Sequence, residues 1–267
     1  MLKTSATFIT FEVQSRLKNM KYVLVPFNNL WKLYIGIIFA ITLILFYPLF
    51  LIFLSSDTLK PFTFKLNVFW SRLMRILCFY GVEVEGESIP SDSPFILCAN
   101  HTSYLDIFLM YSTFPNHKFL FMGKSEILSY PLIKTFFKRL NIPVYRNNRI
   151  KAAKSFIQAR KEMRNGWSII IFPEGGIPDE TPFLIPFKDG AFQLAKAAGV
   201  GIQPITFVDN YYLFSDPENI FDGAMPGLAR IKVHPFITKE EVAQKSSKEL
   251  NEKTYQFISS PLPKKFV

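Results

Sequence analysis

A histidine and an aspartate five residues apart, His101 and Asp106, stand in the stretch Ala99-Asn100-His101-Thr102-Ser103-Tyr104-Leu105-Asp106. Imidazole titrates near ~6.5, so a neutral histidine can take a proton at physiological pH. A carboxylate on the other ring nitrogen fixes the tautomer and stabilises the imidazolium that forms. The pair therefore suits a general base and its orienting acid. A five-residue offset does not put two side chains on one helix face. The histidine must lie in a loop and fold back over a helix start, with Asp106 reaching up to it. A histidine capping an ordinary strand–helix junction would look the same over so few residues, so the rest of the chain has to decide.

Other residues could serve beside this pair. Phe172-Pro-Glu-Gly-Gly176 follows an apolar run; its glycines let backbone approach a ligand closely, and Glu174 there could bind a hydroxyl. Lys124, Arg146 and Lys188 are cations at or near predicted strand and helix ends. Each alone reads as a solvated charge. Gathered at one rim with His101 they would make a phosphate-holding pocket. No GxSxG elbow is present, and Ser103 is too close to His101 in sequence to look like a hydrolase nucleophile. The two cysteines, Cys78 and Cys98, form no CxxC and no metal-ligand spacing. They read as small buried hydrophobes in a reducing compartment, and Cys98 falls inside an apolar strand.

These groups need a scaffold, and the pattern supplies one. Apolar or alternating runs at 82–85, 94–99, 118–122, 142–145, 167–172, 201–207 and 229–234 predict seven strands. Pro143 places the fourth at an edge or a strand start. Helical stretches at about 103–113, 125–140, 149–165 and 189–199 alternate with them. Thr238-Lys-Glu-Glu241 reads as a capping box that opens a last helix. The expected fold is α/β, a largely parallel seven-stranded sheet flanked by helices. In such sheets ligands bind at the carboxyl ends of strands, where His101, Arg146 and Glu174 all fall.

An N-terminal helical membrane-associating module, residues 1–80, precedes the α/β domain at 81–257, and a loose tail at 258–267 follows it. The stretch before residue 31 is mixed and poorly periodic, whereas 33–54 carries no charge. As a helix that apolar run would be about 33 Å long, enough to cross a hydrocarbon core, with Pro48 expected to kink or shorten it. Lys and Arg flank it on both sides, so a span and a re-entrant arrangement both fit. A second, amphipathic helix at about 64–80 sets Leu66, Phe69, Trp70, Leu73 and Leu77 against Lys65, Arg72 and Arg75. That face suits the headgroup layer or the globular domain equally.

The net charge of +10 points to an anionic partner, and 29 phenylalanines favour lipid over nucleic acid. No nucleic-acid-binding signature is present. The basic stretch 149–165 reads most simply as a solvated face, although it could also attract an anionic membrane.

Four blocks stand in a fixed order: Asn100-His101-x4-Asp106, Pro143-Val-Tyr-Arg146, Phe172-Pro-Glu-Gly175 and Ile202-Gln-Pro-Ile205. In kind and order they resemble the glycerolipid acyltransferases, and among them the bacterial 1-acyl-sn-glycerol-3-phosphate acyltransferases. The resemblance covers about residues 80–210. It implies acyl transfer from acyl-CoA or acyl carrier protein to a membrane lysolipid, lysophosphatidate in the first instance, at the cytoplasmic face of the inner (plasma) membrane. His101 would be the base and Asp106 its orienter; Lys124, Arg146, Glu174 and Gly175 would hold the acceptor, and Lys188 is a further candidate for binding its phosphate. No cofactor, metal or nucleic acid is implied. Backbone amides at the helix start after His101 are a further candidate, for stabilising the oxyanion. The third block departs from the family, which usually continues Thr-Arg where this chain has Gly176-Ile177. That leaves another lysolipid, such as a lyso-aminolipid, as an alternative acceptor. A non-catalytic lipid-binding protein is the alternative of a different class.

Overall fold

The computed structural model describes residues 2–90, 94–216 and 219–264. All seven expected strands are present: β1 (Tyr80–Gly86), β2 (Ile96–Ala99), β3 (Phe119–Lys124), β4 (Ile142–Val144), β5 (Ser168–Ile171), β6 (Ile202–Phe207) and β7 (Gly227–Val233). They form one sheet in the order β1-β7-β6-β2-β5-β3-β4, parallel except for the β6–β7 pair. The apolar runs of β2 and β6 are buried throughout, as strands covered on both faces must be. Pro143 sits on the edge strand β4, where its missing N–H leaves no gap in the middle of the ladder.

The crossovers set the layers. The chain steps outward in one direction from β2 through α3 (Leu105–Thr113) to β3 and through α4 (Pro131–Leu140) to β4. It then returns through α5 (Arg149–Arg164) to β5 and through α6 (Gly190–Ala198) to β6. Right-handed crossovers put helices from outward and returning steps on opposite faces. Contacts agree with that division: α5 meets α6, whereas α3 meets α2 (Lys60–Leu77), which in turn meets α1 (Leu2–Phe53).

The N-terminal module differs from expectation in three ways. First, α1 is one helix from Leu2 and includes the stretch before residue 31 that lacked a helical pattern. Second, it runs through Pro26 and Pro48 without stopping there. A proline in a helix interior costs ~3 kcal/mol. Beyond Pro48, Phe50 and Leu54 are buried, and Phe50 packs on Trp70 and Phe136. Burying such side chains contributes ~1.5–3 kcal/mol each, enough to offset the proline. Third, the turn-back lies after α1, not within it. Thr42 accepts from Trp70 Nε1, Tyr34 Oη donates to Leu77 O, and Phe53 packs on Phe62, so α2 runs antiparallel along α1.

Helix α2 begins four residues earlier than its apolar pattern, with Pro61 in its first turn. Its buried side carries Phe64, Asn67, Val68, Ser71 and Met74, while Phe62, Phe69 and Ile76 face outward alongside Lys65 and Arg72. Outward also on α1 are Leu30, Leu33, Ile37, Ile41, Ile44 and Ile52, a stripe at helical spacing. The segment Leu24–Phe53 is long and apolar enough to cross a membrane. An exposed apolar surface of this extent marks association with lipid.

Further along, the expected helix at 125–140 is split. Pro131 disfavours helical backbone at Tyr130, which is extended, so a 3₁₀ turn at Ser125–Ser129 precedes α4. A four-residue helix not anticipated from the pattern, α7 (Asn210–Leu213), follows β6. Thr238 caps only a short α8 (Lys239–Gln244). The full capping box belongs to Ser246 and Glu249, which open α9 (Ser247–Ser259). The tail is not loose from 258 onward: Ile258 is fully buried and Leu262 nearly so. Residues 265–267 lie outside the described residues.

Candidate active site

The first block turns sharply out of β2. Asn100 locks that turn: its Nδ2 donates to Phe207 O and its Oδ1 accepts from Phe207 N–H, at 3.0 and 2.8 Å. The fourth block lies on β6, paired with β2 from Ile96↔Ile202 to Ala99↔Ile205. Its contribution is to hold the first block in place from the sheet.

His101 folds back over the start of α3, and its Nδ1 lies 2.8 Å from Asp106 Oδ2. Asp106 is fully buried and the imidazole is 12% exposed. The ring stacks on Phe172 of the third block, centroids 4.1 Å apart. The same Asp106 oxygen also accepts from Thr102 N–H and Ser103 N–H. Its Oδ1 accepts from Asn210 Nδ2 at 2.6 Å. Leu105 N–H donates to Ser103 Oγ, and Asp106 N–H donates to Ser103 O. The amides considered for an oxyanion are therefore committed to the loop and to Asp106, which corrects that expectation. Ser103 Oγ itself donates to Phe214 O.

Glu174 is placed differently from its expected role at a ligand hydroxyl. It is 3% exposed and turned inward. Oε1 accepts from His101 N–H at 2.8 Å and Oε2 from Ile185 N–H at 3.5 Å. Burial pushes its carboxyl up to about 7, against the pull of those two amides. It braces the backbone of the histidine loop.

Three cations converge on the next two residues, Gly175 and Gly176, whose φ angles of 89° and 155° favour glycine. A Cβ on Gly175 would lie 2.8 Å from Lys188 Nζ and 2.9 Å from Arg146 Nη2, and one on Gly176 would strike Lys124 Nζ. Arg146 also donates to Gly175 O. Burial, then the charges of Arg146 and Lys124, lowers the Lys188 ammonium from its ordinary value. Glu126, at the same rim, is held low by its own hydrogen bonds first and by those two cations after.

A pocket of about 610 Å³, in the range of small-ligand sites, joins these parts. His101, Tyr104, Lys124, Arg146, Phe172, Gly175, Gly176 and Tyr211 line it, with Asp216, Asn219 and Asp222 on the far wall. Glu174 and Lys188 are not among the lining residues. The far wall is tied to α1, since Lys32 Nζ donates to Asp216 O and Asn219 O, and Asn29 Nδ2 donates to Ile220 O. Sequence reasoning missed that wall and Asn210. The Asn and aromatic cluster 210–214 directly after the fourth block was the only available signal.

Cys98 sits beneath the loop with no exposed surface, and burial pushes its thiol well above the ordinary range, so it is no nucleophile.

Residues 81–208 match the acyltransferase family, by that description. The segment that carries the site is thus similar to that family. Over 192 residues, 71% of this chain and 55% of the relative, it is 30% identical to a 1-acyl-sn-glycerol-3-phosphate acyltransferase from Chlamydomonas reinhardtii. Over 154 residues, 55% of this chain and 42% of the relative, it is 30% identical to the chloroplastic 1-acyl-sn-glycerol-3-phosphate acyltransferase LPAT1 of Arabidopsis thaliana. The chain thus spans about half the length of these curated relatives. The fold matches the crystal structure of the 1-acyl-sn-glycerophosphate acyltransferase PlsC from Thermotoga maritima. That match has a TM-score of 0.69 over 86% of this chain and 92% of that one, at 22% identity. In this chain the acid–histidine pair stands beside a cation cluster packed on two glycines.

Proposed function

We propose that the protein is a membrane O-acyltransferase. It moves an acyl chain from a thioester, acyl-CoA or acyl carrier protein, to the free hydroxyl of 1-acyl-glycerol-3-phosphate, giving phosphatidic acid. The observation that carries this reading is the 2.8 Å contact of His101 Nδ1 with Asp106, in the wall of a pocket edged by Lys124 and Arg146. Asp106 keeps the proton on Nδ1, so Nε2 is the basic nitrogen. Nε2 takes the hydroxyl proton as the acceptor oxygen attacks the thioester carbonyl. The tetrahedral adduct then breaks its C–S bond, and the departing thiolate receives that proton from the imidazolium. The new ester keeps the acyl carbon, the thiol leaves, and no covalent acyl-enzyme is needed. A positioned base of this kind contributes about 10²–10⁴ in rate.

The acceptor phosphate sits against Lys124 and Arg146, with Lys188 behind. This arrangement accounts for the departure in the third block. A threonine at 176 would collide with Lys124, so Gly176 makes room for a lysine to supply the charge that an arginine at 177 would have given. The catalytic domain lies on the cytoplasmic face of the inner membrane, where its positive charge meets anionic lipid. The tie between the pocket wall and α1 lets the lysolipid enter from the bilayer.

Purified protein in detergent, given an acyl thioester and a panel of acceptors, tests the reading. Phosphatidic acid from lysophosphatidate is expected. Product from a lyso-aminolipid alone would overturn the acceptor, and release of free fatty acid alone would make the protein a thioesterase.

A further inference from the structure

Asn210 faces Asp106 from the side opposite His101. The aspartate has one oxygen shared by three donors, His101 Nδ1 and the amides of Thr102 and Ser103. Asn210 Nδ2 donates to the other oxygen at 2.6 Å. Asn210 is fully buried, and its own Oδ1 has no hydrogen-bond partner among the described residues. An apolar side chain would avoid leaving that carbonyl unsatisfied, so what the amide gains here is its bond to Asp106.

The element around Asn210 is pinned at both ends. Just before it, Asp209 takes both Arg230 Nε and Nη2 at 2.7 Å. Just after it, Phe214 O accepts from Ser103 Oγ of the histidine loop. The next residue, Tyr211, lines the pocket. A side chain held this firmly fixes the plane of the carboxylate it binds, and through it the imidazole.

We propose that Asn210 is a positioning residue of the reaction, a third member behind His101 and Asp106 that fixes the carboxylate and tempers the basicity of the histidine. This rests on the reading of His101 as base. With Asn210 in place the carboxylate charge is shared among four donors. Without it, His101 carries a larger share, and its imidazolium is held more strongly.

The titratable groups facing this cluster are His101, Asp106 from α3, Glu174 from the loop after β5, and Cys98 below. Tyr211 and Asp209 flank Asn210, the latter turned to Arg230. Burial raises the Glu174 carboxyl in the parent, and the substitution does not touch Glu174, so only the difference between the two curves is assigned to Asn210.

The test uses full-length protein in detergent with labelled histidine rings, and only three histidines are present to assign. In Asn210→Leu the His101 ring signals are expected to follow a pH curve displaced from the parent's, and kcat to fall roughly 10- to 100-fold with KM for both substrates near the parent's. A midpoint unmoved from the parent, with kcat within about twofold, would overturn the proposal. The ring titration needs no turnover. Failure of the parent to transfer acyl groups would therefore sink the acyltransferase reading separately. Should Asn210→Leu fail to fold, the near-isosteric Asn210→Asp decides. While the two acids share a proton the bond is kept. As that proton leaves, activity should fall at alkaline pH more steeply than in the parent, and a profile parallel to the parent's would contradict the proposal.

Discussion

At the scale of single residues, two buried carboxylates do different work within one loop. Asp106 accepts four hydrogen bonds, including two from its own loop's amides, so it holds the His101 ring and caps the loop at once. An amide in its place turns an NH₂ group toward donors. Asp106→Asn is therefore expected to lower turnover and also stability, the latter by about 1–3 kcal/mol in a thermal or denaturant melt. A parent-like melt would show that the loop amides do not depend on the charge. Glu174 gives a pH signature. Its carboxyl is raised from the ordinary range to about 7, so between those values the folded chain holds a proton that the unfolded chain has lost. Stability is then fully present below the unfolded value and falls as pH rises toward 7 and through it. Melting temperature should drop across pH 5 to 8 in the parent and stay flatter in Glu174→Gln; parallel curves would contradict the assignment.

At the scale of elements, the turn after β5 makes room for charge. Gly176→Thr should push Lys124 aside and raise KM for lysophosphatidate by roughly tenfold, with less effect on the thioester, in steady-state assays of each substrate. An unchanged KM would remove Lys124 from the phosphate site. The strands and their order of chemistry were readable because strand periodicity and block spacing are local. His101 and Asp106 were readable for the same reason. Glu174 was misread because its inward turn depends on the amides of His101 and Ile185, partners 73 and 11 residues away. The amides of the histidine loop were misread because a sequence does not say that Asp106 has already taken them. The span of α1 escaped because packing of Phe50 and Leu54 overrides the proline penalty, and Asn210 escaped because nothing in α7 is periodic.

At the scale of the whole molecule, the sheet separates two surfaces. The outward apolar stripes of α1 and α2 lie on the face of α3 and α4, while the basic α5 lies across the sheet. Layers stack roughly 10 Å apart and charges are screened over about 8 Å at physiological salt, so only the end of α5, where Glu162 meets Lys60 of α2 at 2.8 Å, comes near the lipid-facing side. The outward residues of α2 should matter instead. Phe69→Ser with Ile76→Ser is expected to lower partitioning onto anionic vesicles by roughly tenfold or more in a flotation assay, since each buried side chain contributes ~1.5–3 kcal/mol. Undiminished flotation would leave α1 as the sole membrane contact. Helix α1 is tied to the loop that walls the pocket through Asn29 and Lys32.

The most direct measurement is kcat/KM for acyl transfer from a thioester to lysophosphatidate by the parent and by His101→Ala, each shown to be folded by the same melt. Loss of about 10²–10⁴ in the variant, carried by kcat, is the expected result. Turnover within a few-fold of the parent would mean that another group takes the proton and that the histidine–aspartate pair only shapes the loop.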